Sequence, residues 1–366
     1  MNYSKRIQKL QAVIRRQKAD AMLITQPENR RYLSGYTGCD HGIGETSGVL
    51  LVPARGQISL LTDFRYKLQA EQDVSWAKVL LYPRGLLRLL PQLLPDLGIE
   101  TLAFESHYTL HASAEKMTDT LAKVGIRLVP LKGVVEDMRL IKDEAEISCL
   151  RRSVQLNEQV FADIYPSIQP GQTEIDIALV IESAMRRKGA EGPSFSSIIA
   201  SGDRSALPHA VPSDMKVEKN RPLTVDMGLI LEGYCSDMTR TFVPGKADDR
   251  YLELHRLVRR AQLAGIQAIR AGVRASDVDK AARSIIAAAG YGEFFGHALG
   301  HGVGLAVHED PRLSSQNRKQ LKAGMVVTVE PGIYIPGWGG IRLENMVVVR
   351  EEGCENLNSD TTWLDI

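Results

Sequence analysis

Residues 223–243 read LTVDMGLILEGYCSDMTRTFV, and residues 325–349 read MVVTVEPGIYIPGWGGIRLENMVVV. Each is a pair of apolar runs around a turn-forming stretch, the pattern of an antiparallel strand pair. Each also carries two carboxylates, Asp226 and Asp237 in the first, Glu330 and Glu344 in the second. With a turn at Leu231 to Gly233, Asp226 and Asp237 fall opposite or diagonal to one another on one face, because side chains alternate along a strand. VDMG and TVEPG each put an acid at the end of an apolar strand that should face a core. Burying four carboxylates there without counter-charge would cost many kcal/mol.

Two divalent cations would supply that counter-charge. Hard oxygen donors with one imidazole suit Mn²⁺, Co²⁺ or Zn²⁺ in a two-metal site, where ions about 3.5 to 4 Å apart make a nucleophile of water at neutral pH. The imidazole is sought in FFGHALGHGVGLAVHED, residues 294–310, which spends three of the chain's eight histidines, His297, His301 and His308. His301 sits at its centre, among glycines that let the backbone come close to the ions.

The surroundings repeat. IQPGQTEIDIALVIESAMRRKGA, from Ile168, resembles IRAGVRASDVDKAARSIIAAAGYG, from Ile269, each with a glycine after one helix and a capping-box pattern before the next: Thr173 with Asp176, Ser276 with Asp279. The second half therefore reads as two copies of helix, helix, hairpin related by a pseudo-twofold. The first 130 residues alternate strand-like runs (AMLIT, SGVLLVP, QISLLT, AKVLLY, LAFE, RLVPL) with helical stretches, the pattern of a small α/β domain. The expected domains are 1–133 and 134–366, and the 366-residue length fits two cores.

Composition excludes several classes. With 45 basic against 44 acidic residues and a net charge of +1, nothing draws the chain to nucleic acid. MNYSKRIQKLQAVIRRQKADAMLIT has scattered basic residues and reads as an amphipathic helix, not a secretion signal, and no run suits a bilayer. A cytoplasmic, membrane-free protein is expected. Its four cysteines are far apart and read as free, mostly buried thiols.

Taken together, Asp226, Asp237, His301, Glu330 and Glu344, with LPHA at 207–210, HALGHGVGLAVHE at 297–309, VEPGIY at 329–334 and GGIRLEN at 339–345, resemble the pita-bread-fold metallopeptidases: Xaa-Pro dipeptidase (prolidase), aminopeptidase P and, more distantly, methionine aminopeptidase. PENRRYLSGYTG at 27–38 is similar to the N-terminal domain that the proline-directed branch shares with creatinase. The resemblance implies a creatinase-like N-terminal α/β domain ahead of a pseudo-twofold α+β catalytic domain, a small peptide as substrate and a homodimer. It implies that Asp226 binds one metal, His301 the other, and Asp237, Glu330 and Glu344 hold or bridge both. Glu330 would also relay a proton, while His209 and His308 would contact substrate and stabilise charge on the scissile carbonyl oxygen. His297 would shape the substrate pocket, and Arg342 would support the metal-bound carboxylates or a substrate carboxylate.

The remaining histidines carry no such pattern. His255, in LELHRLVRR, reads as solvated on a charged helix face, His107 and His111 have no partner pattern, and His41 lies in a glycine-rich loop. Two other functions fit the scaffold: another amide or small-molecule hydrolase or lyase, and a non-catalytic protein-binding relative. Such binding relatives generally lose metal ligands, and all five are present here.

Overall fold

In the computed structural model, which describes residues 1–359, the N-terminal segment coils because its apolar residues recur at helical spacing. Ile7, Leu10 and Ile14 turn inward along α1 (Tyr3–Arg16), and Arg15 and Arg16 occupy the last turn, where cations favour the helix dipole. The six apolar runs that follow are strands β1 (Ala21–Ile24), β2 (Val49–Pro53), β3 (Ser59–Thr62), β4 (Lys78–Leu81), β5 (Thr101–Glu105) and β6 (Arg127–Leu131). They form one sheet in the order β4-β3-β2-β1-β5-β6, parallel except where β2 pairs with β1 and β3. Helices α2 (Pro27–Ser34), α3 (Lys67–Asp73), α4 (Leu86–Asp96), α5 (His111–Ala122) and α6 (Val134–Arg139) complete this unit. Leu90 and Leu94 of α4 and Met117 and Leu121 of α5 pack with Leu23, Leu51 and Leu61 of the sheet.

The chain divides into two compact units, one spanning Met1–Arg139 and the other beginning at Leu140. The expected limit near residue 134 falls at the start of α6, the helix that closes the first unit. The second unit opens with α7 (Glu144–Ile164), whose capping box joins Asp143 and Glu146 and whose buried stripe includes Ile147, Leu150, Val154, Phe161 and Ile164. Next come α8 (Glu174–Arg187), β7 (Gly192–Pro193), β8 (Ile198–Ser201), β9 (Leu223–Met227), β10 (Leu229–Leu231), β11 (Tyr234–Cys235) and β12 (Met238–Phe242). Helices α9 (Asp249–Ala268) and α10 (Ala275–Ala288) lead to β13 (Gly300–Gly302), β14 (Glu309–Leu313), β15 (Val326–Val329), β16 (Gly332–Ile335), β17 (Gly339–Arg342), β18 (Asn345–Arg350) and β19 (Gly353–Asn356). Among the described residues no helix is long and apolar enough to cross a membrane.

The internal repeat is visible in backbone contacts. Gly171 donates its N–H to the Val217 carbonyl and Gly272 to that of Leu321, both glycines with positive φ, and single bridges join Thr173 to Lys216 and Arg274 to Gln320. The 14-residue helices α8 and α10 follow these bridges. The caps differ, however. Thr173 Oγ1 accepts from Asp176 N–H at 3.1 Å as expected. The expected Ser276–Asp279 box does not form, because α10 starts one residue before Ser276, whose own N–H is taken by the Asn317 carbonyl, and Asp279 is buried with Arg283. His255 also departs from expectation: it is buried on α9 with its ring 5.6 Å from that of Tyr251. His107 does have a partner, Glu136, at 2.9 Å. Cys149 and Cys235 are buried free thiols, whereas Cys39 is exposed.

Strand β13 runs so close to β15 that a Cβ on Gly300 would lie 2.0 Å from the Thr328 carbonyl oxygen. Gly300→Ala should therefore cost about 1–3 kcal/mol through overpacking against backbone, read as a lowered urea midpoint. An unchanged midpoint would show that β13 can retreat without loss.

Candidate metal centre

The two hairpins sort their side chains by face. Across β9 and β12, Met227 pairs with Met238, Asp226 with Thr239 and Thr224 with Thr241. Leu223, Val225, Met227, Met238 and Phe242 turn to an apolar core, so Thr224, Asp226, Thr239 and Thr241 share the opposite face, with Asp237 diagonal to Asp226. The pairing continues through β10 and β11, Leu231 opposite Tyr234, around a two-residue turn in which Glu232 and Gly233 both have positive φ. In the second hairpin Val329 pairs with Asn345 and Gly332 with Arg342, which sets Glu330 and Glu344 across from each other where the two ladders meet.

These faces bring the acids together around His301. Its Nε2 lies 3.5 Å from Asp237 Oδ2 and 3.4 Å from Glu330 Oε1, and one donor atom each from Asp237, His301 and Glu344 fits within a mutual 4.8 Å. Its Nδ1 lies 3.0 Å from the Gly302 carbonyl, which assigns the ring proton to that nitrogen. The Nε2 lone pair therefore faces carboxylate oxygens, a repulsive arrangement that a cation between them converts to coordination. Asp226 Oδ1 is likewise buried without a hydrogen-bond partner. Both observations fit divalent metal held by this donor set.

Charge distribution agrees. Burial raises the pKa of Asp237 and of Glu344 well above the carboxylate range, reinforced by the neighbouring acids, and burial pushes Glu330 up to about 8 against the pull of Arg342. Burial lowers His301 to about 4, so the ring is neutral at pH 7 and ready to ligate.

Two threonines tie the hairpins to the acids, and sequence reading missed both. Thr239 Oγ1 accepts from Arg342 Nε at 3.0 Å and donates to Glu344 Oε2 at 2.7 Å. Thr328 Oγ1 accepts from the His301 N–H at 3.0 Å and donates to Glu330 Oε1 at 3.2 Å. Each threonine stands two residues from an acid, Asp237 or Glu330, hence on its face of the strand; that period was the available signal. Arg240, also missed, donates through NH1 to the Thr239 and Glu344 carbonyls at 3.0 and 2.6 Å.

Arg342 donates through NH2 to Asp226 Oδ2 at 2.6 Å and through NH1 to the Tyr334 hydroxyl at 2.8 Å. The Tyr334 hydroxyl in turn meets His297 Nε2 at 2.9 Å, while His297 Nδ1 lies 2.8 Å from the Ala298 carbonyl. With Nδ1 protonated toward that carbonyl, Nε2 accepts from Tyr334, and a chain of hydrogen bonds runs from His297 to Asp226. Burial lowers the pKa of His297 to about 4. His308 is exposed at its surface edge, with its ring centroid 4.4 Å from that of His301, and partial desolvation on that side, with Arg312 nearby, lowers its pKa. His209 is exposed and lies in the neighbourhood of His297 and His308.

Ion pairs with a buried carboxylate fasten the segments that carry these rings. Lys142 Nζ donates to Glu309 Oε2 at 3.0 Å beside His308, and Glu309 Oε1 accepts from the Ala306 N–H. Arg283 pairs with buried Asp279 at 2.8 Å and donates to the His297 carbonyl at 2.7 Å.

A buried acid cluster of this kind, on two strand pairs each preceded by two helices, defines a metal-dependent hydrolase scaffold. The chain belongs to metallopeptidase family M24, whose model matches residues 148–351, and residues 6–141 match the creatinase/prolidase N-terminal domain. Its fold is accordingly a creatinase-like α/β domain followed by a pita-bread catalytic domain. Xaa-Pro dipeptidase from Pyrococcus horikoshii is 33% identical, over 97% of each chain. The structure of an Xaa-Pro dipeptidase from Bacillus anthracis is 36% identical with a TM-score of 0.91, covering 98% of both chains. That of an X-Pro aminopeptidase from Thermotoga maritima is also 36% identical, with a TM-score of 0.86, covering 94% of this chain and 96% of the other.

The shifted groups predict how the metal-free protein responds to pH. Glu330 rises on folding from 4.5 to about 8, so its contribution to stability is complete below pH 4.5 and is lost as pH rises through 8. His297 and His301 fall from 6.5 to about 4, so theirs is complete above pH 6.5 and lost as pH falls toward 4. Between pH 6.5 and 8.5 only the carboxylates act, and the Tm of metal-free protein should fall across that range. Added Mn²⁺ should raise Tm more at pH 8 than at pH 6.5. A metal-free Tm flat over this range in a thermal scan would contradict the buried-acid account.

Proposed function

We propose that this chain is an exopeptidase with two divalent cations, Mn²⁺ before Co²⁺ or Zn²⁺, that hydrolyses the Xaa-Pro bond of dipeptides or at the N-termini of longer peptides. The observation that supports it most is the His301 Nε2 lone pair directed at Asp237 and Glu330, at 3.5 and 3.4 Å, within a buried acid cluster. The relatives named above supply the substrate class, and hard oxygen donors with one imidazole favour these ions. A homodimer, on the strength of the family resemblance, and a cytoplasmic location, on the sequence pattern of the N-terminal segment, complete the reading.

In this reading Asp226, Asp237, His301, Glu330 and Glu344 hold the ions, which when bound lower the pKa of water enough to give a nucleophile near neutral pH. Glu330 takes the proton from the attacking water and passes it to the leaving nitrogen. Cleaving any amide requires that proton, and proline's nitrogen, which has no N–H, offers the enzyme only its lone pair as the bond breaks. His308, neutral at pH 7, and His209 donate N–H to the scissile carbonyl oxygen as its charge develops. Arg342 holds Asp226, and His297 braces it through Tyr334 while its ring walls the pocket.

Two experiments test the assignment. Glu344→Ala should lose metal, whereas His308→Ala should keep it and lose kcat by roughly 10²- to 10³-fold; metal loss from His308→Ala but not from His301→Ala would reverse the histidine roles. Leu-Pro, Leu-Ala, acetyl-Leu-Pro and Leu-Pro-Gly are then compared with Mn²⁺-loaded enzyme. Leu-Pro should exceed Leu-Ala by about 1–3 kcal/mol in kcat/KM, the worth of a few ring methylenes in a fitted pocket, and acetylation should block cleavage. Equal rates on the first two, or cleavage of the acetylated peptide, would refute a proline-directed exopeptidase, and Leu-Pro-Gly separates aminopeptidase from dipeptidase.

A further inference from the structure

His209 lies between the 3-10 turn Gly202–Ala206 and Val217, on irregular chain with little apolar anchoring: Leu207 is 52% exposed and Val211 76%, and only the small side chain of Ala210 is buried, against Ile198 and Ala200. One buried carboxylate fastens both ends of this loop. Glu174, the first residue of α8, is fully buried. Its Oε1 accepts from the Ser201 N–H at 3.0 Å and from Arg204 Nε at 3.1 Å. Its Oε2 accepts from Arg204 Nε at 3.0 Å, the Ser213 N–H at 3.2 Å and Ser213 Oγ at 2.8 Å. Arg204 NH2 then reaches across the loop to the Val211 carbonyl at 2.6 Å.

Residues on both sides of His209 therefore converge on a single ion pair. The start of α8 adds backbone contacts, with Glu174 N–H to the Met215 carbonyl and Ile175 N–H to that of Ser213, each at 3.0 Å. The other side of the loop rests on the strand that carries Arg342: Ser205 Oγ accepts from the Gly340 N–H at 2.7 Å, and a Cβ on Gly340 would lie 2.2 Å from the Ser205 carbonyl oxygen. Burying the Glu174 carboxylate against a partly exposed arginine is a costly way to stabilise a fold, since apolar packing does as well. What a carboxylate with fixed donors provides is direction.

We propose that the Glu174–Arg204 pair is a positioning device for His209, holding a loop that is exposed at Leu207, His209 and Val211 so that the imidazole meets the scissile carbonyl. The inference rests on the reading of His209 as a donor to that oxygen. Neither residue touches substrate or metal; both act through the loop.

The test uses Arg204→Met in the full chain; because this leaves the buried Glu174 carboxylate without its cation, the thermal midpoint is measured alongside, and Glu174→Gln, which removes that charge, is carried through the same assays. Amide exchange at Leu207 and Ala210, whose N–H groups close turns within the loop, should quicken in Arg204→Met. Metal content should stay at the wild-type level, and kcat on Leu-Pro should fall about 10- to 100-fold, the effect of a misplaced group, with KM little changed. In a His209→Ala background the same substitution should cost no more than about 2-fold, since the two changes remove one contribution. Unchanged exchange overturns the proposal, as do full losses that multiply in the double variant or a His209→Ala enzyme as active as wild type. Failure of metal-loaded wild type to cleave Leu-Pro would instead strike the peptidase reading, and the exchange result still decides whether the pair holds the loop.

Discussion

Four carboxylates share one buried cluster, two of them facing the lone pair of an imidazole, and most of the second unit follows from making that arrangement tolerable. Arg342 offsets one charge at Asp226 from a buried position, and the Thr239 and Thr328 hydroxyls each give a hydrogen bond to one glutamate. These contacts orient the acids without neutralising them. The shortfall is what a divalent ion fills, so the protein's own groups define where the ion sits before it arrives.

The scaffold achieves this with two similar halves. Each hairpin turns one face to an apolar core and the other to the acids, with the period of two along each strand doing the sorting. The rings near the acids are held differently from the acids themselves. His209, His297 and His308 all lie on irregular chain or at strand ends, and each segment is tied by an ion pair with a buried carboxylate: Glu174–Arg204, Asp279–Arg283 and Glu309–Lys142. The acids stand in strands or directly beside them, while the segments that carry the rings are fastened by charge.

Much of this was legible in the sequence. The six strands of the first unit stood out as apolar runs, and Asp226, Asp237, Glu330 and Glu344 stood out because two similar hairpins each carry a pair of acids, whereas Glu105, which also ends an apolar strand, belongs to no such pair. The diagonal of Asp226 and Asp237 followed from counting residues to the turn at Glu232 and Gly233. What stayed hidden depended on contacts between distant segments. Ser276 and Asp279 have the spacing of a cap, yet the α10 amides are met by residues 317–319 and Asp279 serves Arg283. His255 sits among charged residues in sequence, but its side of α9 faces the core beside Tyr251. Thr239, Tyr334 and Arg240 are ordinary strand residues until their partners are known.

The close pairing of β9 with β12 also bears on how this segment tolerates changes in length. Asp226 and Asp237 share a face only because the residues between them keep their pairing through both ladders, Met227 with Met238 and Ile230 with Cys235. Removing one residue from that span would carry one acid into the apolar core and a core residue into the site. Paired additions at the Glu232–Gly233 tip, by contrast, lengthen the ribbon without turning it over. Families built on this hairpin are thus free to vary its reach in steps of two, while single-residue insertions below the tip are closed to them unless a bulge absorbs the extra residue.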